Sequence, residues 1–327
     1  MPKKIIITKL GAPDVLDYVD YSLSDIVSEN SVRIKQTAIG LNFIDIYFRS
    51  GVYPIPHPLP ACPGLEAAGE VIMVGKNVEH ISVGDRVCYA AAPMGAYCEI
   101  RDFPADKLIK TPKEISDEEA ASILLQGMTV EYLFTRLYKI KKDQHILFHA
   151  AAGGVGLVAC QWAKSVGSIL IGAVGSDEKA ALAKKNGCAF TINYNTENIA
   201  ERVGEITGGE GVPVVYDGVG KDTFQASLDC LSLRGMFVSF GQSSGMVPDV
   251  SLHKTFNPKS LYFTRPTLMH YNATRKDLLY SSGVLFDLIK SGKIVVNLSK
   301  TYELSDASSA HADLESRKTV GSGILKP

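Results

Sequence analysis

The sequence predicts an α/β chain in two parts, a β-rich region followed by a doubly wound parallel sheet, on three observations. Short β-branched runs punctuated by glycine fill the first third of the chain. From residue 145 onward, apolar runs of strand length alternate with amphipathic stretches of helical length. Between the first such run and the first such stretch sits a glycine cluster, HAAAGGVG, at residues 149–156. At 327 residues the chain exceeds the usual single-domain size, and its 46% hydrophobic and 21% charged residues suit a soluble globular enzyme.

The elements follow in order. The N-terminus, MPKKIIITKLGAPD, meets Asp14 before a signal-peptide core could finish, and no apolar stretch approaches the ~20 residues of a membrane helix, so a cytoplasmic location without membrane contact is expected. VRIKQTAIGL and GEVIMVGKNVEHISVGDRVCYA read as strands with glycine turns, and Asp45 as a cap where IDIYFRSG starts a helix. DEEAASILLQGMTVEYLFTRLY, residues 117–138, is the first sustained helical stretch. HILFHA, SILIGAVG, FTINY, VPVVYDGV and GMFVSFG then read as strands. GLVACQWAKSVG, DEKAALAKKNG, ENIAERVGEIT and DTFQASLDCL read as the amphipathic helices between them. SLYFTRP (260–266) supplies a sixth strand, and an amphipathic helix follows from Arg275 to Ser291. The remaining tail is too small to fold alone and is expected to return to the N-terminal domain, giving boundaries at 1–124, 125–266 and 267–327.

A formal charge of −1, with no run of five like charges, gives no electrostatic footprint for nucleic acid or an anionic membrane. The cysteines at 62, 88, 98, 160, 188 and 230 form no C-x-x-C pair and have no nearby histidine at zinc-finger spacing. They read as reduced thiols, most of them buried as small hydrophobes.

The glycine cluster departs from the dinucleotide fingerprint at its first position, which becomes Ala151-x-Gly153-x-x-Gly156 with an additional Gly154. Its context supports the function. Gly153, Gly154, Val155 and Gly156 occupy the first β-to-α turn, where backbone approaches a pyrophosphate and helix N-terminal amides bind it. Ala151 is tolerable if the turn avoids positive φ there. The second strand ends in Ala173-Val174-Gly175-Ser176, with no carboxylate for a ribose, and Asp177 opens a helix where an acid suits the dipole anyway. Lys179 opposes that dipole unless an anion answers it, and a 2′-phosphate would do so. NADP(H) is therefore expected, with Ser176 and Lys179 as its readers and Tyr194 close by. GQSSG (241–245) matches the nucleophile-elbow pattern G-x-S-x-G, but MVPDVSL follows where the elbow needs a helix, and Pro248 disfavours one.

Several stretches together, GLEAAGEVIMVG, VGDRV, LLQGMTVEYL, HAAAGGVG and DGVG, resemble the medium-chain dehydrogenase/reductase superfamily. Within it, AIGLNFIDIYFRSGVYP, HAAAGGVGL, INY and VSFGQSSG look like the zinc-free quinone oxidoreductases related to zeta-crystallin. The resemblance runs nearly end to end and implies a GroES-like β-rich catalytic domain, a Rossmann cofactor domain and a homodimer. Where the superfamily's zinc enzymes place their catalytic ligands, this chain has Asn42, Leu65 and Gln126, and the four-cysteine structural zinc lobe has no counterpart. Leucine cannot ligate, and carboxamides are poor zinc ligands beside thiolate or imidazole. Without a Lewis acid the acceptor must supply its own electrophilicity, as a quinone does.

The resemblance places the nicotinamide end in a cleft between domains, lined by Asn42, Phe43, Ile44, Asp45, Ile46, Tyr47, Tyr53, Gln126 and Thr129. Tyr47 and Tyr53 are the most useful of these, since a phenol hydrogen-bonds a quinone oxygen while its ring packs on the acceptor. It further implies cofactor contacts at Tyr132, Gly154, Val155, Gly175, Ser176, Asp177, Glu178, Lys179 and Tyr194. Others fall at Gly218, Phe240, Gly241, Gln242, Ser243, Pro266, Thr267, Leu268 and Arg317. Reduction of enoyl thioesters or alkenals is the alternative within the fold. Outside that class stands a cofactor-carrying protein that binds RNA or serves as a crystallin; the near-zero charge disfavours RNA. Dimerisation through the edge left by SLYFTRP is expected.

Overall fold

The computed structural model describes residues 1–316 and 319–327, which form two compact units, Met1–Met128 with Asn272–Pro327, and Thr129–Tyr271. Residues 125–128 thus group with the β-rich unit, and the short helix Leu268–Tyr271 with the second. Among the described residues no helix is long and apolar enough to cross a membrane.

The first unit is built on a seven-stranded sheet. Its strands run in the order Leu298–Glu303, Ser322–Lys326, Ser31–Leu41, Glu66–Val74, Arg86–Ala90 and Ile109–Lys110, with Ile100–Pro104 also pairing Ser31–Leu41. The last strand of the chain lies antiparallel to Ser31–Leu41, Ile324 opposite Gly40. Alternation drives the pleat: in Ser31–Leu41, Lys35 and Thr37 are exposed while Ile34, Gln36 and Ala38 face inward. Val32, Ile34, Val71, Val87 and Phe103 form its core together with Ile5 and Ile7 of the N-terminal strand.

The second unit carries six parallel strands in the order Phe190–Asn193, Ile169–Val174, His145–His149, Val212–Asp217, Leu231–Ser239 and Tyr262–Thr264. The order reverses between His145–His149 and Val212–Asp217, so the loops after His149 and Asp217 flank the switch point where such sheets bind ligands.

Three details differ from the sequence reading. The helix expected over 117–138 is α-helical only for Asp117–Glu131 and continues as a π-helical turn, Tyr132–Leu137. Thr135 Oγ1 donates to the Glu131 carbonyl at 2.7 Å and competes with the backbone for that acceptor. The helix Gly154–Val166 is amphipathic only at its end: it is buried from Gly156 through Ala163 and exposes Lys164 and Ser165. The sixth strand shortens to Tyr262–Thr264, whose Tyr262 and Phe263 are 59% and 47% exposed.

Candidate functional site

In the second unit the glycine cluster forms the turn between His145–His149 and the helix Gly154–Val166. The left-handed conformation falls on Ala150 (φ 55°), so Ala151 keeps an ordinary backbone and needs no glycine. A Cβ on Gly156 would come within 2.4 Å of the Ala150 carbonyl, so only glycine lets the helix approach the strand this closely. Gly153 caps the helix without any side-chain hydrogen bond, which suits first-turn amides that bind a pyrophosphate.

Across the switch point, Asp217 shapes the DGVG loop. Its Oδ1 accepts from the amides of Val219 and Gly220 at 2.8 and 2.9 Å, and its Oδ2 from the hydroxyls of Thr223 and Ser227 at 2.7 and 2.8 Å. With its proton on Asp217, Ser227 Oγ must accept from His149 Nε2, 2.9 Å away, which fixes the neutral Nε2–H tautomer. Burial accordingly pushes His149 below its usual pKa. The strand ends that carry both loops are thereby tied together through one buried hydroxyl. The loop 240–244 lies directly on DGVG: Phe240 N donates to Asp217 O, Ser243 N to Gly218 O and Ser244 N to Val219 O. Ser243 therefore sits in a loop, with the next helix starting only at Leu252, and the nucleophile-elbow geometry is lacking.

The tip of the second strand gathers the expected phosphate readers. Ser176 caps the helix Asp177–Lys185 by accepting from the Lys179 amide at 3.3 Å, and the Tyr194 hydroxyl lies where a Cβ on Gly175 would be, 2.4 Å away. Asp177 is engaged by Asn193 Nδ2 at 2.9 Å, and Glu178 is exposed. Tyr132 stacks on Tyr271 with centroids 4.4 Å apart, while Thr267 O accepts the His270 amide and Leu268 is buried. Thr129 is buried, as is Pro266, two residues past the end of the strand Tyr262–Thr264. Arg317 lies outside the described residues.

In the first unit Asn42 caps the helix Phe43–Ser50, and Asp45 Oδ2 accepts from the Asn42 amide at 3.0 Å. Phe43 and Ile44 are partly exposed, and Asp45, Ile46 and Tyr47 are buried. Phe43, Tyr47 and Tyr53 form one aromatic cluster, with centroids 5.3 Å apart for Phe43 with Tyr47 and 5.0 Å for Tyr47 with Tyr53. Asn42 Nδ2 donates to Glu66 Oε2 at 2.6 Å, and Glu66 Oε1 accepts from the Leu125 amide at 2.6 Å. Gly40 makes room for this carboxylate, since a Cβ there would lie 2.3 Å from Oε2. Beside Leu125, Gln126 Oε1 accepts from the Ser322 hydroxyl at 2.8 Å. Both carboxamides at the positions corresponding to the superfamily's metal ligands are thus held by protein partners, and Leu65, at the third, is buried.

A second buried chain runs from Asp45. Tyr97 OH donates to its Oδ2 at 3.0 Å, His311 Nε2 lies 3.0 Å from the same phenol, and Arg49 donates to His311 Nδ1 at 3.2 Å while pairing with Glu315. His311 is therefore neutral, its pKa pushed down to about 3 by burial and the Arg49 charge. Burial raises Asp45 to about 7 and Glu66 to about 8, against the pull of the N–H and O–H groups that face them. Among the described residues no three His, Cys, Asp or Glu side chains gather as a metal-binding group.

The sequence reading missed Glu66, Tyr97, His311, Arg49 and Ser322 in this unit, and His149, Asp217 and Ser227 in the other. Glu66 carried a signal, as an acid within the small apolar run GLEAAG. Arg49 and His311, far apart in the chain, carried none.

The GroES-like sheet, the parallel sheet with its glycine turn and the loops at the switch point define a medium-chain dehydrogenase/reductase. Residues 28–135 match the family model described as alcohol dehydrogenase GroES-like domain, and residues 154–280 the one described as zinc-binding dehydrogenase. The chain belongs to the quinone oxidoreductase family. It is 51% identical to a quinone oxidoreductase of Salmonella typhimurium, with 100% of both chains covered. The crystal structure of Escherichia coli quinone oxidoreductase complexed with NADPH superposes with a TM-score of 0.97 at 51% identity, covering 99% of this chain and 100% of that one. A 2-haloacrylate reductase of a Burkholderia species is 43% identical, with 98% of each chain covered.

Proposed function

We propose that the protein is an NADPH-dependent quinone reductase that works without a metal. The observation that carries this reading is the fate of the superfamily's metal positions: Asn42 is bonded to Glu66, Gln126 accepts from Ser322, and Leu65 offers no lone pair. An acceptor must then bring its own electrophilicity, and a quinone gains an aromatic ring on reduction. Relatives of about half identity over the full length are named quinone oxidoreductases.

When bound, NADPH supplies the hydride; the chain supplies binding, orientation and a proton. The turn Gly153–Gly156 holds the pyrophosphate on helix amides, and Ser176, Lys179 and Tyr194 take the 2′-phosphate. Tyr132, Gly218, the loop Phe240–Ser243 and Pro266–Leu268 complete the nucleotide contacts. Asn42, Gln126 and Thr129 orient the reacting groups. Tyr47 and Tyr53 hydrogen-bond the quinone oxygen, and a phenol or water delivers the proton. Asp45, wholly buried, acts through Asn42 and Tyr97 and is a positioning residue.

Anaerobic NADPH oxidation with benzoquinone, naphthoquinone, a crotonyl thioester, an alkenal and 2-haloacrylate tests the reading. Quinones are expected to lead by at least roughly tenfold, about 1.4 kcal/mol of barrier. The 43% identity to the 2-haloacrylate reductase makes activated alkenes the second reading, which the same panel would establish if the order reversed. Replacing both Tyr47 and Tyr53 by Phe is expected to lower quinone kcat/KM by roughly 3- to 30-fold, the loss of one or two hydrogen bonds in the transition state. An unchanged value removes both phenols from the chemistry.

The exposed edge strand Tyr262–Thr264 supports a homodimer joined there. Sedimentation velocity is expected to give a two-chain particle that Phe263→Lys dissociates, and a monomeric wild type refutes it. The six free cysteines support a cytoplasmic location.

A further inference from the structure

The helix Phe43–Ser50 has two working faces. Phe43 and Tyr47, four residues apart, share one of them, in the aromatic cluster with Tyr53. Asp45 and Arg49, also four apart, share the other, each two residues or about 200° of turn from Tyr47. A second pair at the same spacing answers them: His311 and Glu315 on the helix Ala307–Glu315, which Ala307 and Ala310 dock on the core.

Arg49 joins the two helices directly. It pairs with Glu315, donates to His311 Nδ1 at 3.2 Å and donates through Nε to Gly11 O at 3.1 Å. Asp45 reaches the same histidine only through Tyr97, whose hydroxyl is 3.0 Å from Asp45 Oδ2 and 3.0 Å from His311 Nε2. Tyr97 is itself pinned by its backbone, the amide donating to Pro63 O at 3.0 Å and the carbonyl accepting the Ile5 amide at 2.8 Å. Asp45, Arg49, Tyr97 and His311 are all buried. Donor and acceptor capacity fixes the direction of every link. A guanidinium only donates, so His311 Nδ1 accepts and the ring's single proton sits on Nε2. That N–H goes to the Tyr97 oxygen, and Tyr97 gives its own proton to Asp45 Oδ2. The chain therefore runs one way, and Asp45 cannot turn without leaving a buried donor unpaired. Asp45 Oδ2 also accepts the Asn42 amide, whereas the buried Oδ1 receives no hydrogen bond among the described residues. Two donors thus hold the carboxyl, one on the residue it caps and one on Tyr97.

We propose that His311 and Tyr97 are positioning residues for the acceptor step: through Asp45 they fix where the helix Phe43–Ser50 begins, and with it the places of Asn42 and the Tyr47 phenol. The inference rests on the roles proposed above for Asn42 and Tyr47 and extends them to a helix near the other end of the chain. Neither residue is assigned a contact with a reacting atom. Each leaves Asp45 one orientation, and Asn42 is then held at its amide by Asp45 and at its side chain by Glu66. The grip falls on the face of the helix turned away from Tyr47, so it steadies the phenol without occupying its surroundings. Loss of the chain acts on turnover, while the pyrophosphate and 2′-phosphate contacts proposed for NADPH lie in the second unit and are spared.

Full-length wild type, Tyr97→Phe, His311→Leu and His311→Gln are compared by steady-state kinetics with naphthoquinone, by NADPH fluorescence titration and by amide hydrogen exchange across residues 43–50. Tyr97→Phe keeps the ring and removes one O–H, and His311→Gln keeps an N–H for Tyr97 and an oxygen for Arg49. Tyr97→Phe and His311→Leu are each expected to lower kcat roughly 5- to 50-fold, with the NADPH dissociation constant within about threefold of wild type and faster exchange at the helix start. His311→Gln is expected to recover most of the loss. Tyr97→Phe combined with His311→Leu is expected to be no slower than the slower single variant, since either change breaks the same chain. Folded variants with wild-type kcat, losses that multiply in the double variant, NADPH affinity falling in step with kcat, or unchanged exchange across residues 43–50 would each overturn the proposal. Tyr97→Phe carries the test if His311→Leu fails to fold. A wild type that reduces no acceptor would count against the proposed function instead, and hydrogen exchange, which needs no turnover, would still decide whether Tyr97 and His311 hold the helix start.

Discussion

Wild-type stability measured by chemical denaturation, taken relative to the variant that combines Glu66→Gln and Asp45→Asn, is expected to fall as pH rises from about 4 to 8. Both acids are wholly buried, and burial raises Asp45 from 3.8 to about 7 and Glu66 from 4.5 to about 8. Between those limits the native chain holds protons that the unfolded chain has released, so each unit of pH costs stability. The contribution is whole below the unfolded values and gone once pH passes the folded ones. At 1.36 kcal/mol per pKa unit, each acid accounts for on the order of 4 kcal/mol. His311 and His149, held neutral by burial, act oppositely: they withdraw stability as pH falls below 6.5. The difference between wild type and double variant is therefore the readout, and it should change steadily between pH 4 and 8. A flat difference would mean that both carboxyls keep ordinary acidity.

The same substitutions reach the chemistry. Glu66 accepts from Asn42 Nδ2 and thereby fixes the orientation of that carboxamide, whose oxygen is the end left for a ligand in the proposed function. Gln at 66 can still receive the Leu125 amide on its oxygen, but its own NH2 then faces Asn42, whose amide must turn round to accept. Glu66→Gln alone is expected to fold yet to lower kcat more than it raises KM, the pattern of a group misoriented in the transition state.

Such dependence explains what the sequence discloses and what it withholds. Period-two and βαβ patterns are local, so the parallel sheet, the glycine turn and the helix opening at Asp177 can be read along the chain. Ala151, an apparent defect in the fingerprint, is resolved only by the backbone, because the positive φ falls one residue earlier on Ala150. The frames that hold the site are long-range. Asn42 leans on Glu66, Gln126 on Ser322, and Asp45 on Tyr97 and His311, partners separated by up to 214 residues in a single hydrogen bond. No periodicity spans such intervals. The sequence therefore exposes the residues offered to a ligand more readily than the residues that aim them.

Lys179→Glu is expected to lower kcat/KM for NADPH by roughly 10- to 100-fold while leaving NADH within about threefold, through the loss of a charge-assisted bond and the introduction of a repelling carboxylate. Lys179 stands in the first turn of the helix Asp177–Lys185, where a cation is disfavoured by the helix dipole, next to two acids that the dipole favours. Its neighbours lack the feature that selects an unphosphorylated ribose: Asp177 is taken by Asn193, and the strand tip ends in Gly175 with the Tyr194 hydroxyl against it. In the proposed site a 2′-phosphate would meet the Lys179 charge, the Ser176 hydroxyl and the Tyr194 phenol, whereas the carboxylate nearest the strand tip, Asp177, is already bonded to Asn193. The preference should also weaken with salt, since a partly exposed phosphate–ammonium pair is screened within a Debye length of about 8 Å at physiological ionic strength. Steady-state kinetics with both cofactors at two salt concentrations check both points. An equal loss for NADH and NADPH in the variant would reduce Lys179 to a helix residue, and a wild type that prefers NADH would remove the 2′-phosphate from this site altogether.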